Sequence, residues 1–552
     1  MEGCVSWPVE MAERYRREGH WAGMTIGQMF EASVRAHATR TALVAGKQRL
    51  TYAELGARVE CLAAHLLRLG FETYDRVILQ LPNVAEFVIA YFACQRIGVI
   101  PLTCLTAFRQ AEVEYFARFI EATGYVVPAE FRGFDHVAMA REIQNKTPAL
   151  RHVVVVDGAA PGTVSIRELL ETAPDPVWQS QVARRQPEPS EPAVFLLSGG
   201  TTGVPKVIPR THDDFLCATR ASAAGTGVSA DTVMLLTLPI THVLPLACPG
   251  LQGALMHGAK VVLAPSPDPT VAFPLIERER VTYTPLVPTA LIGWINSPRR
   301  AEHDLSSLRA MPTGGMKMTA ELARKARAAF GDAVMQEYGA SEGFICSTRP
   351  GDPLDWRYDT QGRPVSAADE FRIVDDAGHD VAPGEVGELL GRGPYTIRGY
   401  YRASEYNAAA FTAEGFYRTG DMVRRHPSGN LVIEGRKKDM INRGGEHISA
   451  EEVEGHILGH AGVVNVAVVA MPDPTLGERC CAYVVLRPGE RLSLEELTRF
   501  LLEQRRIAKF KVPERLQIVE SLPLTAVGKV SKPALRLDIQ KKLESQRKLE
   551  SP

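Results

Sequence analysis

Strand-like apolar runs alternating with helix-like ones constrain this chain more than any other feature. Residues 75–82 read DRVILQLP, 84–98 read VAEFVIAYFACQRIG, and 99–102 read VIPL. A second set reads GAKVVLAPSP (258–267), AFPLIERERV (272–281) and YTPLVP (283–288). The shorter runs have strand length and the runs between them have helix length. Such alternation predicts parallel βαβ units and an α/β architecture. A polar, turn-rich block from about 360 to 424 departs from that pattern. Within it, FRIVDDAGHDVAPGEVGELLGRGP (371–394) carries the Asp/Gly turns of hairpins and predicts a β-rich subdomain.

A second, smaller unit is expected to begin near Arg436. Ser449 and Glu452 have the spacing of a capping box ahead of a helix. VVNVAVVAMP (463–472) and CCAYVVLRP (480–488) read as strands, and SLEELTRFLLEQ (493–504) as a helix. The expected organisation is a large N-terminal domain over 1–435 and a small α+β C-terminal domain over 436–552.

Charge narrows the function. Lys plus Arg total 63 and Asp plus Glu 64, a net charge of −1. That balance offers no electrostatic case for nucleic acid or an anionic membrane. No apolar run reaches the length of a membrane span, and the N-terminal stretch is mixed and charged rather than signal-like. Nine scattered cysteines without a C-x-x-C pair suggest neither a zinc site nor a disulfide framework, so a reducing cytoplasm is the expected compartment.

Four stretches carry chemistry. In LLSGGTTGVPKVIPRTHDD (196–214) an apolar run ends at Ser198 and leads into Gly199, Gly200, Thr201, Thr202 and Gly203, with Lys206 at the far side. Backbone N–H groups, hydroxyls and one ammonium can line a polyphosphate there. The stretch departs from the P-loop pattern, since Val207 stands where that pattern has a Ser or Thr. Taken alone, it reads equally as a mobile turn. EYGASEG (337–343) sets the carboxylate of Glu342 near Tyr338, and a hard carboxylate is a suitable Mg²⁺ ligand. YRTGD (417–421) offers Asp421 to ribose hydroxyls, and GRKKDMINRGGE (435–446) offers the Arg436 fork to the same sugar or a phosphate. TAVGK (525–529) projects Lys529 from a tight turn at Gly528. Read singly, the second and fourth stretches are better explained as an ordinary surface turn and a basic surface tail.

Taken together and in order, LTYAEL (50–55), SGGTTGVPK (198–206), YGASEG (338–343), YRTGD, GRKKDMINRGGE and TAVGK resemble the adenylate-forming enzymes: acyl-CoA synthetases, adenylation domains of nonribosomal peptide synthetases and luciferases. The resemblance spans nearly the whole chain. GGTTGVPKVIPRTHDD, PSPDPTVAFPLIERE, GPYTIRGYY and INRGGEHISAEEVE are similar to one branch, the free-standing aryl acid–AMP ligases. This resemblance implies ATP and Mg²⁺ as cofactors and two half-reactions. An aryl carboxylate first attacks the α-phosphate of ATP, and a thiol then takes the acyl group. It assigns Thr201, Thr202 and Lys206 to the departing phosphates, Glu342 to Mg²⁺, Asp421 and Arg436 to the ribose, and Gly314 and Tyr338 to the flanks of the adenine or the acyl group. Lys529 is implied as the catalytic lysine and Lys438 as the hinge about which the small domain turns.

The same resemblance places the acyl pocket at LPITHVLPLACPG (238–250), with Gly315, Phe344 and Ile345 as further walls. His242, implied as a catalytic and pocket residue, is kept. Val243 stands where dihydroxybenzoate ligases carry an Asn that reads an ortho hydroxyl, Leu244 replaces an aromatic residue, and Cys248 replaces a Ser. These changes point to an aryl or heteroaryl acid other than 2,3-dihydroxybenzoate or salicylate. No carrier segment follows Lys532, so the thiol is expected on a separate aryl carrier protein or on coenzyme A, in siderophore or nonribosomal peptide biosynthesis.

Overall fold

The computed structural model describes residues 1–552 apart from 157, 159, 199–204, 444–445, 474, 506, 526–527 and 551–552; the side chains of 438, 442, 446, 447 and 546–550 are also outside the description. The expected α/β class is what the structure shows: a large N-terminal domain and a smaller C-terminal one.

The helix Ala85–Ile97 explains the layering. All of its residues but Glu86 are buried. A helix apolar on all sides must be covered on all sides. It links the parallel neighbours Arg76–Leu79 and Ile100–Thr103, completing the βαβ unit expected from DRVILQLP and VIPL. Those strands lie in a sheet ordered Val207–Thr211, Pro192–Leu197, Ile100–Thr103, Arg76–Leu79, Gly124–Val127, His152–Val155, Val164–Ser165. A second sheet runs Val233–Leu236, Lys260–Leu263, Thr41–Ala45, Gln48–Thr51. A third contains Met311–Thr313, Val334–Ala340, Gly343–Ser347 and Arg363–Pro364. YTPLVP does not form the expected strand. It makes only single bridges, from Tyr283 to Met234 and Ala310 and from Leu286 to Thr313. Pro285 has no N–H to give a ladder, and Pro288 already opens the helix Pro288–Asn296, so little length is left for a strand.

The turn-rich block folds into the antiparallel sheet Glu370–Val374, Gly387–Arg392, Tyr417–Arg425, Leu431–Arg436, as its turn residues predict. The chain then passes through a 3₁₀ turn, Lys437–Asp439, and enters a new sheet at Ile441–Arg443. That sheet, with the long hairpin Val463–Asp473 and Gly477–Leu486, has its own apolar core of Ile441, Val453, Ile457, Val468, Cys480 and neighbours. Ser449 caps the Ala450–Leu458 helix by accepting from the Glu452 N–H at 3.2 Å. The box is not reciprocal, because the Ser449 hydroxyl donates to the Glu434 carbonyl and the Glu452 carboxylate pairs with Lys511 at 2.6 Å.

Candidate active site

Two hairpins and one inter-domain turn build the site. The strands Pro192–Leu197 and Val207–Thr211 are antiparallel, so SGGTTGVPK is a hairpin loop. Its neck is closed by the Ser198 N–H donating to the Lys206 carbonyl and the Lys206 N–H donating to the Ser198 hydroxyl, both at 2.9 Å. Gly199, Gly200, Thr201, Thr202 and Gly203 lie outside the described residues. The Lys206 ammonium sits 3.8 Å from the ring centre of Tyr406 and 6.0 Å from that of Tyr400.

The second hairpin joins Val334–Ala340 to Gly343–Ser347, with Ser341 and Glu342 at its turn. Arg210 fixes that turn. Its guanidinium donates to the carbonyls of Ser341 and Tyr395, each at 2.9 Å, and pairs with Asp214 at 2.7 Å, with both charged groups buried. From the other side the Ile397 N–H donates to the Glu342 carbonyl at 2.8 Å. The Glu342 carboxylate, 8% exposed, accepts from the Tyr400 hydroxyl at 2.7 Å, and that hydroxyl lies 3.2 Å from the one on Tyr417. Tyr400 therefore bridges the Lys206 side of the site to Glu342.

Asp421 and Arg436 are register partners on neighbouring strands. Their side chains pair at 2.7 Å, while the Tyr338 hydroxyl donates to the other Asp421 oxygen at 2.6 Å. Arg436 also donates to the Thr419 carbonyl at 2.9 Å. Asp421 is 3% exposed, and its burial raises the carboxyl pKa against the pull of Arg436.

Lys529 reaches this cluster from the small domain. Gly528 at φ 79 makes the turn, and the Thr289 hydroxyl of the large domain donates to the Gly528 carbonyl at 2.8 Å. The lysine side chain lies over Gly315, where an added Cβ would come within 2.9 Å of Lys529 Cε. A Cβ on Gly314 would instead sit 2.8 Å from the Glu337 carbonyl oxygen. Burial and the nearby Arg436 cation lower the Lys529 pKa to about 8, although Asp421 and Glu342 pull the other way. Burial, with Lys529 close by, lowers His242 to about 3, so its imidazole is neutral.

His242 precedes the short helix Val243–Ala247, and Val243, Leu244 and Cys248 are buried in one apolar cluster with Ile345 and Met335. Phe344 is not brought to them. Tyr338 opposes Cys346 and Gly339 opposes Ile345 in the antiparallel ladder, and facing residues share a side. Ile345 therefore faces the pocket, whereas Phe344 joins Ile373, Leu389, Val423 and Leu431 behind the strand. Lys438 lies in the 3₁₀ turn between the two sheets, and its side chain lies outside the described residues. Tyr400, Tyr417, Thr419 and Thr289 were not singled out from the sequence. The first three lie inside the GPYTIRGYY and YRTGD motifs, which were the available signal, and Thr289 has none. A groove of about 1120 Å³, lined by Lys317, Arg424, Glu434 and Lys437 among others, also runs between the domains, but none of the predicted site residues lines it.

This arrangement sets one carboxylate against the Tyr400 hydroxyl with that of Tyr417 behind it, beside a carboxylate–guanidinium pair and a small-domain lysine over a glycine turn. The AMP-binding enzyme family model matches residues 30–401, and the AMP-binding enzyme C-terminal domain matches 452–529. The chain is 45% identical to the 2,3-dihydroxybenzoate-AMP ligase of Bacillus subtilis (strain 168), over 98% of this chain and 99% of that one. It is 44% identical to a salicyl-AMP ligase / salicyl-S-ArCP synthetase of Mycobacterium tuberculosis, over 97% and 94%. The apo structure of MbtA from Mycobacterium smegmatis superposes with a TM-score of 0.74 at 42% identity, covering 97% of this chain and 98% of that chain.

Proposed function

The chain belongs to the AMP-binding enzyme family, and on that premise we propose that it activates an aryl or heteroaryl carboxylic acid with ATP and delivers it to a thiol. The observation that carries this reading is the convergence of Lys529, from the small domain, on the Gly314–Gly315 turn beside Asp421, Arg436 and Glu342. The substrate carboxylate oxygen bonds to the α-phosphorus, and the P–O bond to pyrophosphate breaks. Two anions must approach for this step, and the Lys529 ammonium offsets their repulsion as the new bond forms. Asp421 accepts from the ribose hydroxyls and Arg436 steadies it; Gly314 and Tyr338 flank the adenine or the acyl group. Ser198 and Lys206, with Gly199 to Gly203, grip the β- and γ-phosphates and then release them.

Glu342 would hold Mg²⁺. The fit is chemical: Mg²⁺ is bound through one or two carboxylates together with phosphate oxygens and water, and Glu342 presents a carboxylate with one oxygen fixed by Tyr400. The ion supplies charge neutralisation to the phosphates.

In the second half-reaction a thiol sulfur bonds to the acyl carbon, AMP leaves on its phosphate oxygen, and the thiol proton is given up. We assign the acceptor to a separate aryl carrier protein, as the name of the M. tuberculosis relative supports, with coenzyme A as the alternative. Lys438 is the hinge that lets the small domain, from 436 onward, turn between the two steps. Val243, Leu244 and Cys248 make the pocket apolar where an ortho hydroxyl would need a partner, so the preferred acid is an aryl or heteroaryl one other than 2,3-dihydroxybenzoate. The test is ATP–pyrophosphate exchange across a panel of aryl acids, followed by thioester formation with a pantetheinylated carrier protein and with coenzyme A in parallel. Absence of aryl-acid-dependent exchange would overturn the reading.

A further inference from the structure

A buried carboxyl without a partner among the described residues stands in the wall of the acyl pocket. Glu337 lies on the Val334–Ala340 strand, directly opposite Ser347 and two residues from Gly339, which opposes Ile345. Residues two apart on a strand share a face. Glu337 therefore faces the same side as Met335, Gly339 and Ile345, toward the cluster that holds Val243, Leu244 and Cys248. Its neighbours Gln336 and Tyr338 face away, Gln336 to the carbonyls of Arg357 and Tyr358 and Tyr338 to Asp421. Glu337 is 7% exposed. Among the described residues no hydrogen bond or ion pair reaches its carboxyl, and burial alone raises its pKa, to about 8. The titratable groups that sense it are Cys248, on the pocket wall, and Tyr283. Lys529 lies across the Gly314–Gly315 turn but does not neutralise it.

A buried, unpaired carboxyl costs stability unless something satisfies it. No described side chain on this wall donates to it, so the missing partner is expected on the ligand. We propose that Glu337 is a specificity-determining residue of the acyl pocket, and that it selects aromatic or heteroaromatic acids carrying a hydrogen-bond donor on the ring: a hydroxyl, an amino group or a ring N–H. A carboxyl offers at least one accepting oxygen in either protonation state, so a donor is served whether Glu337 is charged or neutral. A ring acceptor is served only by the neutral form. This inference rests on the adenylation reading above and narrows its substrate class.

The test uses the full-length enzyme and ATP–pyrophosphate exchange. Hydroxy-, amino- and N–H heteroaryl acids, substituted in turn at each ring position, are each compared with the isostere lacking the donor, such as methyl for hydroxyl or furan for pyrrole. The wild type is expected to favour at least one donor-bearing acid by about tenfold or more in kcat/KM, because its isostere leaves the carboxyl unpaired. The acid that shows the preference identifies the donor. Glu337→Val should collapse that ratio toward one, and Glu337→Gln, which keeps an accepting oxygen, should retain most of it. A thermal melt of each variant separates this role from a structural one, which would lower stability and leave the ratio unchanged. No donor preference in the wild type, or a preference that survives in Glu337→Val, overturns the inference while leaving exchange itself intact. Loss of exchange with every acid would instead overturn the adenylation reading.

Discussion

At the residue scale, the lysine that completes the site is a cation held below its ordinary pKa. Burial and Arg436 bring Lys529 down to about 8. A lysine with a depressed pKa keeps its charge below that value and loses it as pH rises, well before an ordinary lysine would. The kcat/KM for exchange should therefore fall above about pH 8, and the residual activity of Lys529→Arg should lack that descending limb, since a guanidinium stays charged. Lys529→Ala should lose about 10²–10³ in exchange rate, the usual effect of removing one oriented charge, while nucleotide binding persists; activity within a few-fold of wild type would remove the assignment. On the acid side, Val243→Asn restores an amide where an ortho hydroxyl would sit. It should shift kcat/KM toward 2-hydroxybenzoates by several-fold, the effect of about 1 kcal/mol from one hydrogen bond, and Leu244→Tyr in addition should move it further. An unchanged ratio would show that position 243 does not read the ring. Glu342, Asp421, Arg436 and Lys529 were legible in the sequence because each is a charged group within a recognisable motif. Glu337 was not, because its meaning depends on which way a strand faces.

At the scale of elements, hairpin register decides what a residue does, and register depends on turns that close only in three dimensions. The βαβ unit around Ala85–Ile97 and the hairpins of 370–436 follow from apolar periodicity and turn residues, and these the sequence alone predicts. Phe344 illustrates the limit: read as a pocket wall, it lies behind its strand because Ile345 opposes Gly339. The antiparallel return of Val207–Thr211 likewise escaped the reading of alternating units. Arg210 is the element that couples these hairpins, being on one and donating to the turn of the other. Arg210→Met leaves Asp214 buried without its cation and should cost about 3–5 kcal/mol, read as a drop in denaturant midpoint. Exchange should suffer beyond the stability loss, because the turn that carries Glu342 is no longer held. The connector Lys437–Asp439 passes the chain from one sheet to the next. Lys438→Pro fixes φ near −65° and should impair thioester formation more than adenylation; equal losses in both would exclude a hinge there.

For the molecule as a whole, catalysis depends on how two domains meet. The small domain keeps its own core and offers Lys529 through a turn to which the large-domain Thr289 hydroxyl donates, at the Gly528 carbonyl. Thr289→Val removes that hydrogen bond, which is worth about 0.5–1.5 kcal/mol. Exchange should slow several-fold, while thioester formation from preformed adenylate should not change; single-turnover assays of the two steps read this directly. The meeting of the domains also sets unequal demands on two adjacent glycines. At Gly314 a side chain would strike the backbone of Glu337, within the large domain and in any arrangement of the two. At Gly315 it would strike the tip of Lys529, which on the proposed hinge motion is there only when the small domain is docked, although its φ of 84 disfavours other residues in its own right. In a library of random variants the two codons would therefore part company. Selection for soluble, folded protein should empty position 314 and only thin position 315, whereas selection for turnover should empty both.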